Sequence, residues 1–283
     1  MRFKYAITLS SFRTVEEGLE KVLERLVHQG YEAVEMFGEP DEVDLKRLNQ
    51  TFRSFDIPVC GITGMWGSVS KEGRKRKLLS LDTDIIEYSE EYVRQCIKMC
   101  DSLGGYDTNL CLFADDKSSV FDRNHSEVRQ DEKERLILKR AIPTIIKLTR
   151  FAKDYGIQLL LEPLNRYSTP YCTTAEDAVS IANRLNEDNF GVLLDTFHMN
   201  IEEDSIHNAI VKSRGLLRHI HFADNNRKMP GSAHIDFQSI IKSLGDIGYD
   251  KYISFEPILP SRAYEEATRF GLQFIKKVAN HCC

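Results

Sequence analysis

The chain has 283 residues, 42% of them hydrophobic and 29% charged, and a formal net charge of −5. That mix suits one large or two small globular domains, offers no global attraction to nucleic acid, and contains no apolar run long enough to span a membrane. Seven cysteines without a Cys-x-x-Cys pair point to a reduced, cytoplasmic protein whose thiols fill space, and Met1 to Tyr5 lead into a strand pattern without a signal peptide.

Phe3–Leu9 reads as a first strand. Thr14 is expected to cap a helix with Glu16 and Glu17 in its first turn and Gly30 as its stop. Tyr31–Phe37 is a second strand, Asp41–Phe55 a helix, and Ile57–Ile62 a third strand. The polar stretch Thr63–Asp84, with a basic run from Lys71 to Lys77, reads either as a lid or as a solvated excursion. Ile85–Leu103 is a helix ended by Gly104 and Gly105, and Thr108–Phe113 a fourth strand. Ala114–Val128 is a loop, followed by a long helical segment, Arg129–Tyr155, that Pro143 should kink or restart.

The second half carries the chemistry. Gln158-Leu-Leu-Leu-Glu162 is an apolar run ending in a carboxylate, and Val192-Leu-Leu-Asp195 repeats the device. Leu217-Arg-His-Ile-His221 ends in a histidine and Tyr252-Ile-Ser-Phe-Glu256 again in a carboxylate. The four ends are roughly thirty residues apart, one strand-plus-helix unit each. Helices are expected near Thr174–Asn186, Ile201–Ser213, Asp236–Leu244 and Ser261–Ala279. Eight strands alternating with eight helices, with no composition break, predict one α/β domain over residues 1–283, a (β/α)8 TIM barrel whose strand ends share one rim. Three carboxylates and one imidazole at that rim suit a divalent cation such as Mn²⁺, Mg²⁺ or Co²⁺. For Asp195 a plainer reading competes, in which it simply caps the following helix.

The motifs Glu162-Pro-Leu-Asn-Arg-Tyr167, Leu194-Asp-Thr-Phe-His-Met-Asn200, His219-Ile-His-Phe-Ala-Asp-Asn-Asn-Arg227 and Ser254-Phe-Glu-Pro257 resemble the D-tagatose/D-psicose 3-epimerase family of xylose-isomerase-like barrels. The resemblance implies that Glu162, Asp195, His221 and Glu256 hold one divalent ion, Mn²⁺ foremost, with Co²⁺, Mg²⁺ or Zn²⁺ as alternatives. It implies that Glu162 and Glu256 are the acid–base pair of a ketose epimerisation through a cis-enediolate, and that His198 and Arg227 hold sugar oxygens. The expected partner is a sugar or sugar phosphate, and the expected assembly a homodimer or homotetramer. One departure stands out: where the family has a second, substrate-touching glutamate six residues after the first, this chain has Ser168.

Other residues have competing readings. Trp66, the sole tryptophan, is a candidate apolar wall over the sugar. His219 is expected to face the helices, away from His221, as a core histidine, and His234 to structure the loop before Asp236. An abasic-site endonuclease on the same barrel would need early histidines and a basic face, whereas the first 120 residues hold only His28. An inosose-type isomerase or dehydratase, or a non-catalytic sugar-binding barrel, would share the ligand set.

Overall fold

Eight parallel strands close into one barrel in the computed structural model, which describes residues 3–115 and 137–282. They are β1 (Lys4–Thr8), β2 (Ala33–Gly38), β3 (Val59–Gly64), β4 (Asp107–Leu110), β5 (Gln158–Leu161), β6 (Phe190–Asp195), β7 (Leu217–Phe222) and β8 (Tyr252–Phe255). Each pairs with the next, and β8 returns to β1 through Ala6–Ser254 and Ile7–Phe255. Around them lie α1 (Leu19–Gln29), α2 (Leu45–Ser54), α3 (Thr83–Leu103), α4 (Ile142–Asp154), α5 (Ala175–Leu185), α6 (Thr196–Glu202), α7 (Ile206–Lys212), α8 (Phe237–Asp246) and α9 (Tyr264–Cys282).

Strand side chains alternate between two faces, and the barrel sorts them accordingly. Leu159, Leu161, Val192, Leu194, Ile220, Phe222, Ile253 and Phe255 join the main apolar cluster that also holds helix residues such as Leu148, Ile181 and Ile275. Each such side chain contributes roughly 1.5–3 kcal/mol on burial. The alternate positions point inward, and here the interior is unusual. TIM-barrel interiors are mostly branched apolar residues, yet this one buries Glu35, Asp107, Asn109, His219, His221 and Ser254. Gly61 makes room for one of them, since a Cβ there would lie 2.2 Å from Asp107 Oδ1.

Several local expectations shift. Thr14 caps nothing: its hydroxyl donates to the Leu259 carbonyl, and α1 starts after Gly18. Gly30 does stop it, with φ 87°. Asp44, whose carboxylate accepts from the Arg47 amide at 3.0 Å, delays α2 relative to the expected start at Asp41. Pro143 sits in the first turn of α4, after a π-helical turn over Ile137–Ala141, so it restarts the helix as its missing N–H requires. The expected helix over Ile201–Ser213 starts late, as α7 capped by Ser205, and a separate helix not expected from the sequence, α6, precedes it from Thr196 to Glu202. Most of the expected loop Ala114–Val128 and the first part of the expected helical segment, residues 129–136, fall outside the described residues.

The stretch between β3 and α3 packs on the barrel. Trp66, Arg76, Leu78 and Leu79 are buried. Arg76 pairs with both oxygens of Glu39 at 3.1 and 2.5 Å, donates to the Met65 carbonyl, and lies 3.6 Å over the Tyr92 ring. Only outer residues such as Lys71, Arg74 and Lys75 match the picture of a solvated excursion.

Candidate metal and substrate site

Glu162 follows β5, Asp195 ends β6, His221 lies near the end of β7 and Glu256 follows β8. Parallel register brings Asp195 opposite His221, and all four offer ligand atoms within 4.8 Å of one another. Three carboxylates and an imidazole, nearly all buried, form a set that could hold a divalent cation. The plainer reading of Asp195 holds as well, since its Oδ1 accepts from the Phe197 amide at 2.8 Å and caps α6 while Oδ2 faces the cluster.

Converging carboxylates strain one another's ionisation. Burial, with the Glu256 and Asp195 charges, pushes Glu162 up to about 8 against the pull of His221. Burial likewise lifts Asp195 to about 6, with Arg227 pulling the other way. Glu256 is also desolvated, but Arg227 and His221 hold it well below the usual carboxylate range. Burial opposes the charged form of His221, yet Glu35 and Glu256 on either side raise it well above the ordinary value. The guanidinium of Arg227 bridges Asp195 Oδ2 and Glu256 Oε2 and lies 4.8 Å over the Phe197 ring. Arg227 takes a left-handed φ of 57°, uncommon for a side chain of this size. The turn is held by the Asp224 carboxylate, which accepts from the amides of Gly231, Ala233 and Ile235. Asp224 thus organises the loop that His234 was expected to structure; His234 is exposed.

Above the cluster opens a cavity of about 680 Å³, lined by Glu162, Glu256, His198, Arg227, Trp66 and Ser168 among others. Asp195 and His221 are absent from that lining and lie fully buried beneath it. The His198 Nδ1 accepts from the Asn165 amide at 3.2 Å, which leaves the ring proton on Nε2. Burial and the nearby Arg227 push His198 down to about 3, so it is a neutral donor. Trp66 lies against Gly64, where a Cβ would come within 2.4 Å of the indole nitrogen. Ser168 is exposed at the cavity wall.

His219 corrects an expectation. It faces the barrel interior, its ring centroid 5.1 Å from that of His221. Alternation flips neighbours one residue apart, and residues two apart share a face. Nor is it satisfied: neither ring nitrogen makes a hydrogen bond, although Nε2 lies 3.1 Å from Glu35 Oε1. Three partners of the cluster had no sequence signal as ligands. Asn109 donates to Glu162 and accepts from the Gly64 amide, Glu35 faces both histidines, and Asp107 lies 3.7 Å from His219 Nδ1. A charge inside the apolar run Ala33-Val-Glu-Met-Phe37 is the mark that could have exposed Glu35.

Known proteins resemble this chain in sequence and fold. A D-psicose 3-epimerase of Ruminiclostridium cellulolyticum is 37% identical over 121 residues, 43% of this chain and 41% of that protein. The chain therefore aligns with about two fifths of that curated relative's length. An L-ribulose 3-epimerase of Mesorhizobium japonicum is 25% identical over 247 residues, 87% of this chain and 77% of that one. A crystal structure of D-psicose 3-epimerase with D-tagatose, from Clostridium cellulolyticum H10, superposes with a TM-score of 0.77 at 22% identity, covering 98% and 99% of the two chains. The family model described as xylose isomerase-like TIM barrel matches residues 23–278. With that match running from α1 into α9, the chain belongs to the xylose isomerase-like TIM barrel family.

Proposed function

We propose that the protein is a divalent-metal-dependent ketose 3-epimerase in which Glu162 and Glu256 exchange the proton at C3 from opposite faces of the sugar. The observation that carries this reading is the division of the ligand set: the two glutamates line the cavity while Asp195 and His221 lie under its floor. Relatives named as D-psicose and L-ribulose 3-epimerases support the substrate class.

When bound, a divalent ion, Mn²⁺ by preference, would hold the ketose oxygens and offset the negative charge of an enediolate. The protein's own residues do the rest. In the metal-free chain the environments of the two glutamates differ, one pushed up to about 8 and the other held low. Asn109 holds one oxygen of Glu162 from the side. His198, with its proton on Nε2, donates to a sugar oxygen, and Arg227 binds another. Trp66 forms an apolar wall. Ser168 leaves the wall shorter and uncharged where the family has a carboxylate, so the sugar preferred here differs from that of relatives carrying the glutamate. We place the protein in the cytoplasm as a homodimer or homotetramer, which light scattering would test.

The test is a panel of ketoses and ketose phosphates incubated in D₂O with Mn²⁺ and followed by NMR. Deuterium entering C3 with formation of the epimer is expected. Exchange confined to C1 would indicate aldose–ketose isomerisation instead, and no exchange with metal bound would sink the reading.

A further inference from the structure

Beneath the ligand cluster lies a second layer of ionisable groups that the proposed proton transfer does not use. Glu35, in the middle of β2, is 1% exposed, and His219, His221 and Ser254 are fully buried. Burying a carboxylate and two imidazoles where barrels normally place aliphatic side chains costs free energy unless the groups are paired. The two nitrogens of His221 face in different directions. Nδ1 lies 3.2 Å from Glu256 Oε2, on the ligand side, and Nε2 lies 3.1 Å from Glu35 Oε2. Glu35 is held in turn by the Ser254 hydroxyl, which donates to Oε2, while His219 Nε2 lies 3.1 Å from Oε1.

We propose that Glu35 is a positioning residue for His221: it accepts the Nε2 proton, so that the Nδ1 lone pair is aimed at the cation held by Glu162, Asp195 and Glu256. A neutral imidazole has one N–H, and a ring that lends Nδ1 to a cation must carry its proton on Nε2. At the centre of the barrel that proton finds its acceptor in Glu35. Carboxylates behind ligating histidines fix tautomer and ring orientation in this way. Ser254, on β8 opposite His221 in the register, keeps the carboxylate turned toward the ring. The inference rests on the metal-dependent reading above.

One arrangement competes. Glu35, His219 and His221 also offer ligand atoms within 4.8 Å of one another, so a second ion could sit there, but only if His221 gave up both ring protons and bridged two cations.

The experiment titrates metal-stripped protein with Mn²⁺ by calorimetry and reads the His221 ring protons by long-range ¹H–¹⁵N NMR, with diamagnetic Mg²⁺ as the bound ion. Unmodified protein is expected to bind one ion per chain with the His221 proton on Nε2. Glu35→Gln should weaken binding about tenfold to a hundredfold and, in metal-free protein at a pH high enough to leave the ring neutral, shift the tautomer toward Nδ1–H, with stoichiometry kept at one. Ser254→Ala, a milder change, should move both readouts the same way by less, and it decides the matter if Glu35→Gln does not fold. An unchanged affinity and tautomer would overturn the positioning role. Two ions per chain, one of them lost on substitution, would overturn it in favour of a second metal site. Failure of the unmodified protein to bind any divalent ion would instead refute the metal-dependent reading on which the inference stands.

Discussion

Arg227 and Asp195 form an ion pair inside the cluster of converging carboxylates, and the same guanidinium reaches Glu256. The arginine supplies the positive charge that the acids need when no cation is present. Replacing it by methionine, of similar length, should therefore act in two opposite directions. The metal-free protein should lose stability, by about 3–5 kcal/mol for an uncompensated buried pair. Divalent metal should bind more tightly, because no competing cation has to leave. Calorimetry and thermal melts with and without Mn²⁺ check both. A weaker metal affinity in Arg227→Met would show that the arginine supports the cation.

Metal affinity should climb with pH. The cation binds ionised carboxylates and a neutral imidazole. Burial and neighbouring charge keep a proton on Glu162 below about 8 and on Asp195 below about 6. The raised His221 acts in the same direction. Each proton still to be displaced costs up to about tenfold in affinity per pH unit. Affinity should thus fall as pH drops from about 8 through about 6, with protons released into buffer on binding. Titrations in buffers of different ionisation enthalpy count those protons, and a flat profile over this window would contradict the assignment.

The two glutamates should separate from the substrate wall. Glu256→Gln retains shape and removes a base, and a turnover loss of at least about a hundredfold is expected from such a change. Metal occupancy must be measured in the same sample. Ser168→Glu should leave Mn²⁺ affinity nearly unchanged while altering relative kcat/KM among ketoses. Full turnover by metal-loaded Glu256→Gln would end the two-glutamate mechanism, and an unaltered ketose profile in Ser168→Glu would remove that residue from the sugar's surroundings.

Arg76 anchors the segment above β3. Arg76→Met leaves Glu39 buried without its partner, so stability should drop by about 3–5 kcal/mol. Because Arg76 also holds the Met65 carbonyl next to Trp66, KM for the ketose should rise as well. Denaturant unfolding and steady-state kinetics test the two parts separately. A stability change under about 1 kcal/mol would mean the pair behaves like an exposed one.

The sequence by itself determined the barrel and the four groups at its rim. Each of those features is local: an apolar run, a ligand immediately after it, and a helix-length gap before the next. Strand periodicity also determines the side of His219, two residues before His221, once a repeat of two is applied correctly. Helix starts were harder, because Thr14 and Asp41 look like caps as much as Asp44 does, and packing chose among them. Only the tertiary structure decided that Glu35, Asp107 and Asn109, from β2 and β4, would meet β5 and β7 in the interior. It alone set Arg227 across Asp195 and Glu256 through a turn built on Asp224. Those contacts join residues far apart in the chain, and their geometry follows from the closure and register of the barrel, which no run of neighbouring residues encodes.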